Sequence, residues 1–301
     1  MSPAPIIIVA APFCGSSWLA GVMSTMPDIY ATPQLCAFMA DTVGELLEIF
    51  SLSQDEHGDG LHRTVAELCF GGQRDAEIAQ AHQWLTARAT RPVTDVLDEI
   101  AALVAPRRLL MPETEAPLRP MELQRMRRWR DDTQFVHMVR HPWTQGCRFA
   151  AWLQDRLFVP VDFRDYSRFP PLPEPQIPWL RANCNIDNAL GDLGDARVLR
   201  VISEALDTDF GDTMTVLARG LGLPHASASW ATLRDPAEWR FAGRGPDQAP
   251  GGLEADVRGA WSDDAERLAR MPTLDQPLPW RPDGRGFAAE VLQLAERYGY
   301  R

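Results

Sequence analysis

The stretch that most constrains this chain lies near its start, where residues 5 to 19 read PIIIVAAPFCGSSWL. Ile6 to Val9 form a continuous β-branched run, which is typical of a strand buried on both faces. Small residues and two serines follow, and an apolar pattern at helical spacing then begins. A strand, a tight loop and a helix start direct backbone N–H groups at an anion. The pattern therefore predicts a phosphate-binding loop, with an ordinary βα turn as the alternative. Its candidate binding residues are Pro12, Phe13, Cys14, Gly15, Ser16, Ser17 and Trp18.

This loop does not follow the Walker A pattern, because Ala10 and Ser16 stand at its first glycine and its lysine. It resembles the phosphosulfate-binding loop of the sulfotransferases, where a buried strand runs into Pro-(Lys/Arg)-x-Gly-(Thr/Ser)-(Thr/Ser)-x-Leu. Five positions match that pattern, namely Pro12, Gly15, Ser16, Ser17 and Leu19. Phe13 departs from it, since the family usually has a cation there. The resemblance implies 3′-phosphoadenosine 5′-phosphosulfate (PAPS) as donor substrate.

The charge balance narrows the range of partners. The chain of 301 residues carries a formal net charge of −11, with a pI of about 5.0. An acidic surface argues against nonspecific nucleic-acid binding and against anchoring to an anionic membrane. The sequence contains no lysine, so all 30 basic residues are arginine. No lysine is therefore present to act as nucleophile, Schiff-base former or P-loop cation.

Five cysteines are scattered along the chain without a CxxC pair. Their odd number and the lack of metal-ligand spacing predict reduced thiols, a cytoplasmic protein and no metal site. The N-terminus has no basic region before its short apolar run, so neither a signal peptide nor a transmembrane helix is expected. The sequence does not indicate the oligomeric state.

The segment after the first helix contains PDIYATPQ, which is similar to a PDIYATPE stretch of bacterial sulfotransferases. In that family the glutamate, or a nearby histidine, is the general base that takes the acceptor proton. Gln34 stands at the glutamate position here, and an amide is no base at neutral pH. A polar loop residue is the simpler interpretation of Gln34. Asp41 and Cys36 are the substitute candidates nearby.

Helical patterns fill roughly residues 51–105 and predict a helical insertion that covers the acceptor side. A strand is expected at about 107–111, followed by PETEAPLRP. In the sulfotransferases this strand ends in a Lys-Thr/Ser-Pro element whose lysine approaches the transferring group, and Glu113 takes the lysine position. Ligands of parallel α/β folds sit at the carboxyl ends of strands. Glu113 or Glu115 is therefore a candidate base, with solvated loop acids as the alternative.

A second buried strand is predicted at 135–139, where Arg-His-Pro opens the following loop. It resembles the 3′-phosphate-binding element of the sulfotransferases, an apolar strand ending in Arg-Asp-Pro-Arg with a serine eight residues after the first arginine. Arg140 and Pro142 match, His141 replaces the aspartate, and Arg148 stands at the serine position. Arginine binds phosphate bidentately. Arg140 and Arg148 are thus candidate phosphate ligands, and a structural salt bridge is the alternative for Arg140.

The remaining segments carry weaker signals. Residues 157–178 are rich in proline and aromatic residues and predict an irregular loop or lid. A late strand and a helix ending in Leu-Gly-Leu fit the same resemblance. The Gly- and Arg-rich stretch 240–252 offers Arg244 as a further phosphate contact, with a mobile surface loop as the default interpretation.

Together the patterns predict one α/β domain over residues 1–301, a parallel sheet flanked by helices as in the P-loop-like sulfotransferase fold. The resemblance implies sulfuryl transfer from PAPS to a hydroxyl of a small-molecule acceptor, without a metal. Glu113, Asp41, Gln34 and His141 are the candidate catalytic residues. Two alternatives stay open: a different tailoring reaction, with Cys14 as a possible nucleophile, and a binding protein with a degenerate site.

Overall fold

A five-stranded parallel sheet organises the protein. The computed structural model describes residues 2–52, 57–154, 161–167, 169–224, 230, 236, 239–242 and 273–301. In chain order the strands of this sheet are β1 (Ile6–Ala10), β2 (Ile29–Ala31), β3 (Arg108–Glu113), β4 (Gln134–Val139) and β7 (Val198–Ile202). They lie side by side in the order β2-β3-β1-β4-β7, with every pair parallel.

The first strand, β1, is the centre of the sheet, and all five of its residues are fully buried. Its β-branched side chains suit a strand that is covered on both faces, as the sequence predicts. The chain crosses from β3 on one side of β1 to β4 on the other. The carboxyl end of β1 therefore borders the point where the strand order reverses, which is the usual ligand site of open α/β sheets.

Helices flank this sheet. Their bounds are α1 (Ser16–Met23), α2 (Val43–Leu52), α3 (Asp59–Val65), α4 (Asp75–Thr86), α5 (Val93–Val104), α6 (Pro120–Trp129), α7 (Pro142–Gln154), α8 (Gln176–Leu190), α9 (Ala205–Thr208), α10 (Phe210–Gly220) and α11 (Ala289–Arg297). No helix among the described residues is long and apolar enough to cross a membrane.

The strand β2 is a feature that the sequence analysis did not predict. It is three residues long and pairs with the start of β3, with Ile29 opposite Arg108. The helices α2 to α5 that fill the expected insertion thus lie between β2 and β3 rather than directly after the first βα unit. A three-residue strand bounded by Asp28 and Pro33 is too short to show a period of two.

The proline-rich segment contains a small hairpin instead of a wholly irregular loop. A 3-10 turn at Val161–Phe163 leads into β5 (Arg164–Asp165), which pairs antiparallel with β6 (Leu172–Pro173). Residues 157–160 and 168 of the expected lid lie outside the described chain. Whether this segment moves as a lid stays a prediction.

Candidate functional site

The candidate site lies at the carboxyl ends of three neighbouring strands. Ala10 at the end of β1 is in register with Met138 of β4, and Val9 is in register with Glu113 of β3. The loop at residues 11–15 therefore lies between the loop that follows β4 and the one that follows β3. Three segments that the sequence analysis singled out separately thus meet at one edge of the sheet.

Three side chains from distant parts of the chain hold three consecutive carbonyls of this loop. Gln145 Nε2 donates to the Pro12 carbonyl at 3.0 Å, and an Arg140 guanidinium N–H donates to the Phe13 carbonyl at 3.1 Å. Ser203 Oγ donates to the Cys14 carbonyl at 2.7 Å. We call these three side chains the carbonyl clamp. The clamp occupies the carbonyls of residues 12 to 14 and leaves the N–H groups of the loop available to a ligand.

The loop amides are the polar groups that this arrangement presents. Within the described part of the chain, the N–H groups of residues 13 to 16 have no hydrogen-bond acceptor. Gly15 is the N-cap of α1 with φ 93°, a left-handed conformation that favours glycine. Four unbonded amides next to a helix N-terminus form a concave donor surface suited to a phosphate or sulfate group.

Exposure alternates from residue to residue along the loop. Phe13, Gly15 and Ser17 are half-buried, whereas Cys14 and Ser16 are buried. Phe13 adopts a φ of 68°, which is an outlier for a bulky residue. Its ring packs on Phe149, with centroids 5.5 Å apart. A packed aromatic side chain thus stands where the loop pattern that this stretch resembles has a cation.

Cys14 does not have the surroundings of a reactive thiol. It is fully buried, and burial raises its pKa from 9.0 to about 12 despite the nearby charges of Arg140 and Arg148. A thiolate is the nucleophilic form of cysteine, and reactive cysteines have a lowered pKa. The structure therefore gives Cys14 the properties of a core residue.

Arg140 is a buried residue that stabilises the loop through the Phe13 carbonyl. The side chain is fully buried, and its main-chain carbonyl accepts the indole N–H of Trp179 at 2.9 Å. Arg148 lies on α7 and is half-buried. It is close enough for its charge to lower the pKa of the Cys14 thiol. The structure thus brings both arginines to the loop, with Arg140 in a positioning contact. Their contact with a phosphate stays a prediction.

His141 caps the helix α7. Its Nδ1 accepts the main-chain N–H of Trp143 at 3.1 Å, and the main-chain N–H of His141 donates to Glu204 Oε1 at 2.8 Å. Burial lowers the pKa of His141 from 6.5 to about 4, so the ring is neutral at pH 7. An imidazole whose Nδ1 already accepts a hydrogen bond has its other ring nitrogen protonated. This geometry favours a capping role, and a catalytic role for His141 stays a prediction.

Gln34 lies on the other side of the loop, near the carboxyl end of β3. Its Oε1 accepts the Thr114 hydroxyl at 2.8 Å, and its Nε2 donates to Cys36 Sγ at 3.3 Å. All three side chains are buried. The helix α3 lies directly above, because a Cβ atom built on Gly60 would be 1.9 Å from the Gln34 carbonyl. Gln34 therefore connects the β3 loop with the helical insertion.

Glu113 is the carboxyl group with the most unusual surroundings at this edge of the sheet. Only 3 % of its surface is exposed, and its Oε1 accepts the main-chain N–H groups of Glu115 at 3.1 Å and of Ala116 at 3.4 Å. Burial raises the pKa of Glu113 from 4.5 to about 8, with smaller contributions from neighbouring carboxylates. The group is thus mostly protonated at pH 7 and brings little negative charge to the loop.

Comparison with known proteins decides the fold. No protein-family model matches the sequence, and no curated protein matches it. The structure is similar to the sulfotransferase domain of the Synechococcus PCC 7002 olefin synthase, with a TM-score of 0.74 and 21% identity over 100% of this chain and 96% of that one. It is also similar to the sulfotransferase domain from the curacin biosynthetic pathway, with a TM-score of 0.66 and 18% identity over 99% and 98% of the two chains. This chain has the sulfotransferase fold.

Of the expected site residues, one lies apart from the loop and one lies outside the described residues. Asp41 is exposed and forms a bidentate ion pair with Arg125 on α6, at 2.6 and 3.0 Å, which lowers the pKa of Asp41. A paired carboxylate with a lowered pKa is a weak base. Arg244 lies outside the described residues. Among the described residues, no group of three His, Cys, Asp or Glu side chains is placed to hold a metal ion.

Sequence reasoning missed two members of the carbonyl clamp. Gln145 lies one turn into α7 and is fully buried, with no motif to mark it. Ser203 directly follows β7, so it is a hydroxyl residue at the carboxyl end of a strand. That position was the one available signal for Ser203. In this sulfotransferase fold the clamp depends on contacts 127 to 189 residues apart along the chain.

Proposed function

We propose that this protein transfers a sulfuryl group from PAPS to a hydroxyl of a small-molecule acceptor. The observation that carries the proposal is the carbonyl clamp with the unbonded amides of residues 13 to 16. Such a donor surface at a helix N-terminus binds phosphate-like anions. The similarity to sulfotransferase domains of two biosynthetic systems supports this anion as a phosphosulfate.

The loop supplies the donor site in this proposal. Its amides and the hydroxyls of Ser16 and Ser17 hold the 5′-phosphosulfate, while Arg148 and Arg140 hold the 3′-phosphate. Because the clamp fixes the loop before the donor arrives, little reorganisation is needed on binding. Rate acceleration then comes from positioning the two reactants and from stabilising charge on the bridging oxygen.

Glu113 acts as the general base in this proposal. The acceptor oxygen attacks sulfur, the bond from sulfur to the bridging phosphate oxygen breaks, and the acceptor proton passes to the Glu113 carboxylate. A base must be ionised, and burial raises the pKa of Glu113 to about 8. We therefore expect kcat/KM to rise about tenfold per pH unit below pH 8 and to level off above it.

A neutral Glu113 is also more compatible with an anionic donor than an ionised one. A carboxylate in place of the family's lysine would repel an incoming phosphosulfate. A protonated carboxyl group instead can donate a hydrogen bond to it, and the ionised form is needed only for the proton transfer. The alternative reaction with Cys14 as nucleophile is not favoured, because the thiol is buried with a pKa of about 12.

The first test is calorimetric titration with adenosine 3′,5′-bisphosphate. We expect micromolar binding by the wild type and binding at least tenfold weaker for Arg148→Ala. Arg140→Ala is the second variant, with circular dichroism to check its folding, because Arg140 is buried. Arg219→Ala removes an exposed arginine at the end of α10 and is the control.

Turnover is measured separately with PAPS and a panel of hydroxyl compounds. Lack of binding up to millimolar nucleotide would contradict the proposed donor. Binding without transfer to any acceptor would instead identify a binding protein and contradict the enzymatic assignment. Transfer that is lost in Glu113→Gln, with nucleotide binding unchanged, supports Glu113 as the base.

A further inference from the structure

Tyr300 is a buried residue that directly follows the end of α11. The helix ends in a Schellman motif, in which the Tyr300 N–H donates to the Ala295 carbonyl and the Gly299 N–H donates to the Glu296 carbonyl, both at 3.0 Å. Gly299 adopts the left-handed conformation that this motif needs, with φ 91°. After this reversal of the chain, only 7 % of the Tyr300 surface is exposed.

The Tyr300 side chain contacts the two segments that follow β4 and β7. Its hydroxyl donates to Glu204 Oε2 at 2.9 Å, and its ring meets the His141 ring edge-on, with centroids 4.9 Å apart. Both partners are buried. Burial raises the pKa of Tyr300 well above its usual value, with a further contribution from Glu204, so the hydroxyl remains a donor across the neutral pH range.

Glu204 joins these two segments through its other carboxyl oxygen. Its Oε1 accepts the main-chain N–H of His141 at 2.8 Å, so each oxygen of the carboxyl group has a donor. Removing either donor leaves a buried oxygen unsatisfied, which carries the full cost of its lost solvation. We call Tyr300, Glu204 and His141 the carboxyl brace.

Each member of the carbonyl clamp is attached close to the carboxyl brace along the main chain. Ser203 directly precedes Glu204, and Arg140 directly precedes His141. The Gln145 N–H donates to the His141 carbonyl at 3.0 Å in the first turn of α7. The three side chains that hold the loop carbonyls thus start within one peptide bond or one hydrogen bond of the brace. Because hydrogen bonds depend steeply on distance and angle, a shift of the brace weakens the clamp.

We propose that Tyr300 is a positioning residue of the donor loop, which it orients through the Glu204 carboxyl group and the carbonyl clamp. The inference rests on the proposed function, because its consequence for the donor is measured as nucleotide affinity. Without the Tyr300 hydroxyl, Glu204 loses one of its two donors, and Ser203 and Arg140 hold the loop carbonyls less firmly. The loop amides are then less often in the arrangement that binds an anion, so the apparent affinity falls.

Tyr300→Phe removes the hydroxyl and keeps the ring against His141. Titration calorimetry should show affinity for adenosine 3′,5′-bisphosphate about fivefold weaker than in the wild type, the loss expected for one hydrogen bond. Tyr298→Phe is the matched control, because Tyr298 is 8 % exposed and its hydroxyl donates to Asp187 Oδ2, also at 2.9 Å. That bond lies outside the brace, so the control should lose a similar amount of melting temperature and keep its nucleotide affinity. Equal affinities of the two variants would overturn the proposal, because Tyr300 would then be only structural.

Two further variants test the route from Tyr300 to the loop. If Tyr300 acts through the clamp, Tyr300→Phe and Ser203→Ala together should weaken nucleotide affinity by less than the product of their separate effects. Effects that multiply would overturn the route. Replacement of Tyr300 by 4-aminophenylalanine keeps a donor on the same ring and remains testable if circular dichroism shows that Tyr300→Phe does not fold. It should retain wild-type affinity, and a fivefold loss there would overturn a role for the donor.

Labelling of Cys14 separates this inference from the proposed function, because it needs no nucleotide. The Cys14 thiol is fully buried and its carbonyl is held by Ser203, so a maleimide reaches the thiol when the loop opens. The labelling rate, followed by mass spectrometry of the Cys14 peptide, should rise about fivefold in Tyr300→Phe and stay unchanged in Tyr298→Phe. Equal rates in the two variants would overturn the inference. Faster labelling of Tyr300→Phe in a protein that binds no nucleotide would overturn the proposed donor and keep Tyr300 as a positioning residue of the loop.

Discussion

Replacing Glu113 with glutamine tests the surroundings of the proposed base. Glutamine has nearly the same shape, and its side-chain oxygen can still accept the N–H groups of Glu115 and Ala116. The substitution removes the ionisable group and little else. Since burial raises the pKa of Glu113 from 4.5 to about 8, the ionised carboxylate is disfavoured in the folded protein. We therefore expect Glu113→Gln to stabilise the fold at alkaline pH.

The sign and the size of this stability change follow from proton linkage. Between pH 4.5 and 8 the unfolded chain has released the Glu113 proton while the folded protein keeps it, so wild-type stability falls as pH rises. The interval of about 3.5 pH units, at 1.36 kcal/mol per unit, sets an upper limit of about 5 kcal/mol. Of this, about 3 to 4 kcal/mol is lost between pH 5 and pH 8. For a chain of this length the difference corresponds to about 6 °C in melting temperature.

The assay is thermal and urea unfolding of wild type and Glu113→Gln at several values between pH 5 and pH 8. The two proteins should be similar in stability at pH 5, and the variant should become progressively more stable toward pH 8. Glu48→Gln, on an exposed position of α2, removes the same chemical group and is the control. Stability curves that run parallel across this range would refute a buried, mostly neutral Glu113. The same variant should be inactive, which separates stability from function.

Three further substitutions test other parts of the site. His141→Ala removes the acceptor for the first free amide of α7 and should lower the free energy of unfolding in urea by about 1 kcal/mol. An unchanged free energy of unfolding would mean that the imidazole does not cap the helix. Ser203→Ala releases the Cys14 carbonyl and should weaken nucleotide binding about fivefold while the melting temperature changes little; unchanged affinity would mean that the clamp does not orient the loop. Gly60→Ala places a Cβ atom 1.9 Å from the Gln34 carbonyl and should cost about 2 kcal/mol or more in thermal unfolding, whereas a neutral effect would show that α3 is not packed as described.

The parts of the fold that the sequence predicts are those with strong local patterns. The β-branched run of β1 has no ambiguity, because four such residues in a row do not suit a helix as well as a buried strand. The amphipathic pattern of α5 is equally clear, with its buried residues recurring at helical spacing. In contrast, β2 is stabilised by pairing with β3 rather than by its own three residues, so its local sequence carries no sufficient signal.

The parts of the site that sequence analysis finds are those that follow a strand. The loop after β1, Glu113 at the end of β3 and Arg140 after β4 were all identified from their place at a strand end, and the parallel sheet then brings them to one edge. The carbonyl clamp was not identifiable as a unit. Gln145 and Ser203 act through loop residues that are 133 and 189 positions away, and a hydrogen bond over such a separation leaves no spacing to recognise.

The formal charge of a residue is a poor guide to the charge that it carries when buried. This affects how the three departures from the sulfotransferase pattern are interpreted. Read along the sequence, Phe13 removes a positive charge and Glu113 exchanges a positive charge for a negative one, both of which would weaken anion binding, whereas Gln34 removes the negative charge of a glutamate. In the structure burial keeps Glu113 mostly neutral at pH 7, and Gln34 is bonded to Thr114. Phe13 and Glu113 then remain as two positions where the sulfotransferase pattern has a cation and this chain has none. The expected deficit is therefore two charge-assisted hydrogen bonds, of about 1.5–3 kcal/mol each, without the further repulsion that an ionised Glu113 would add.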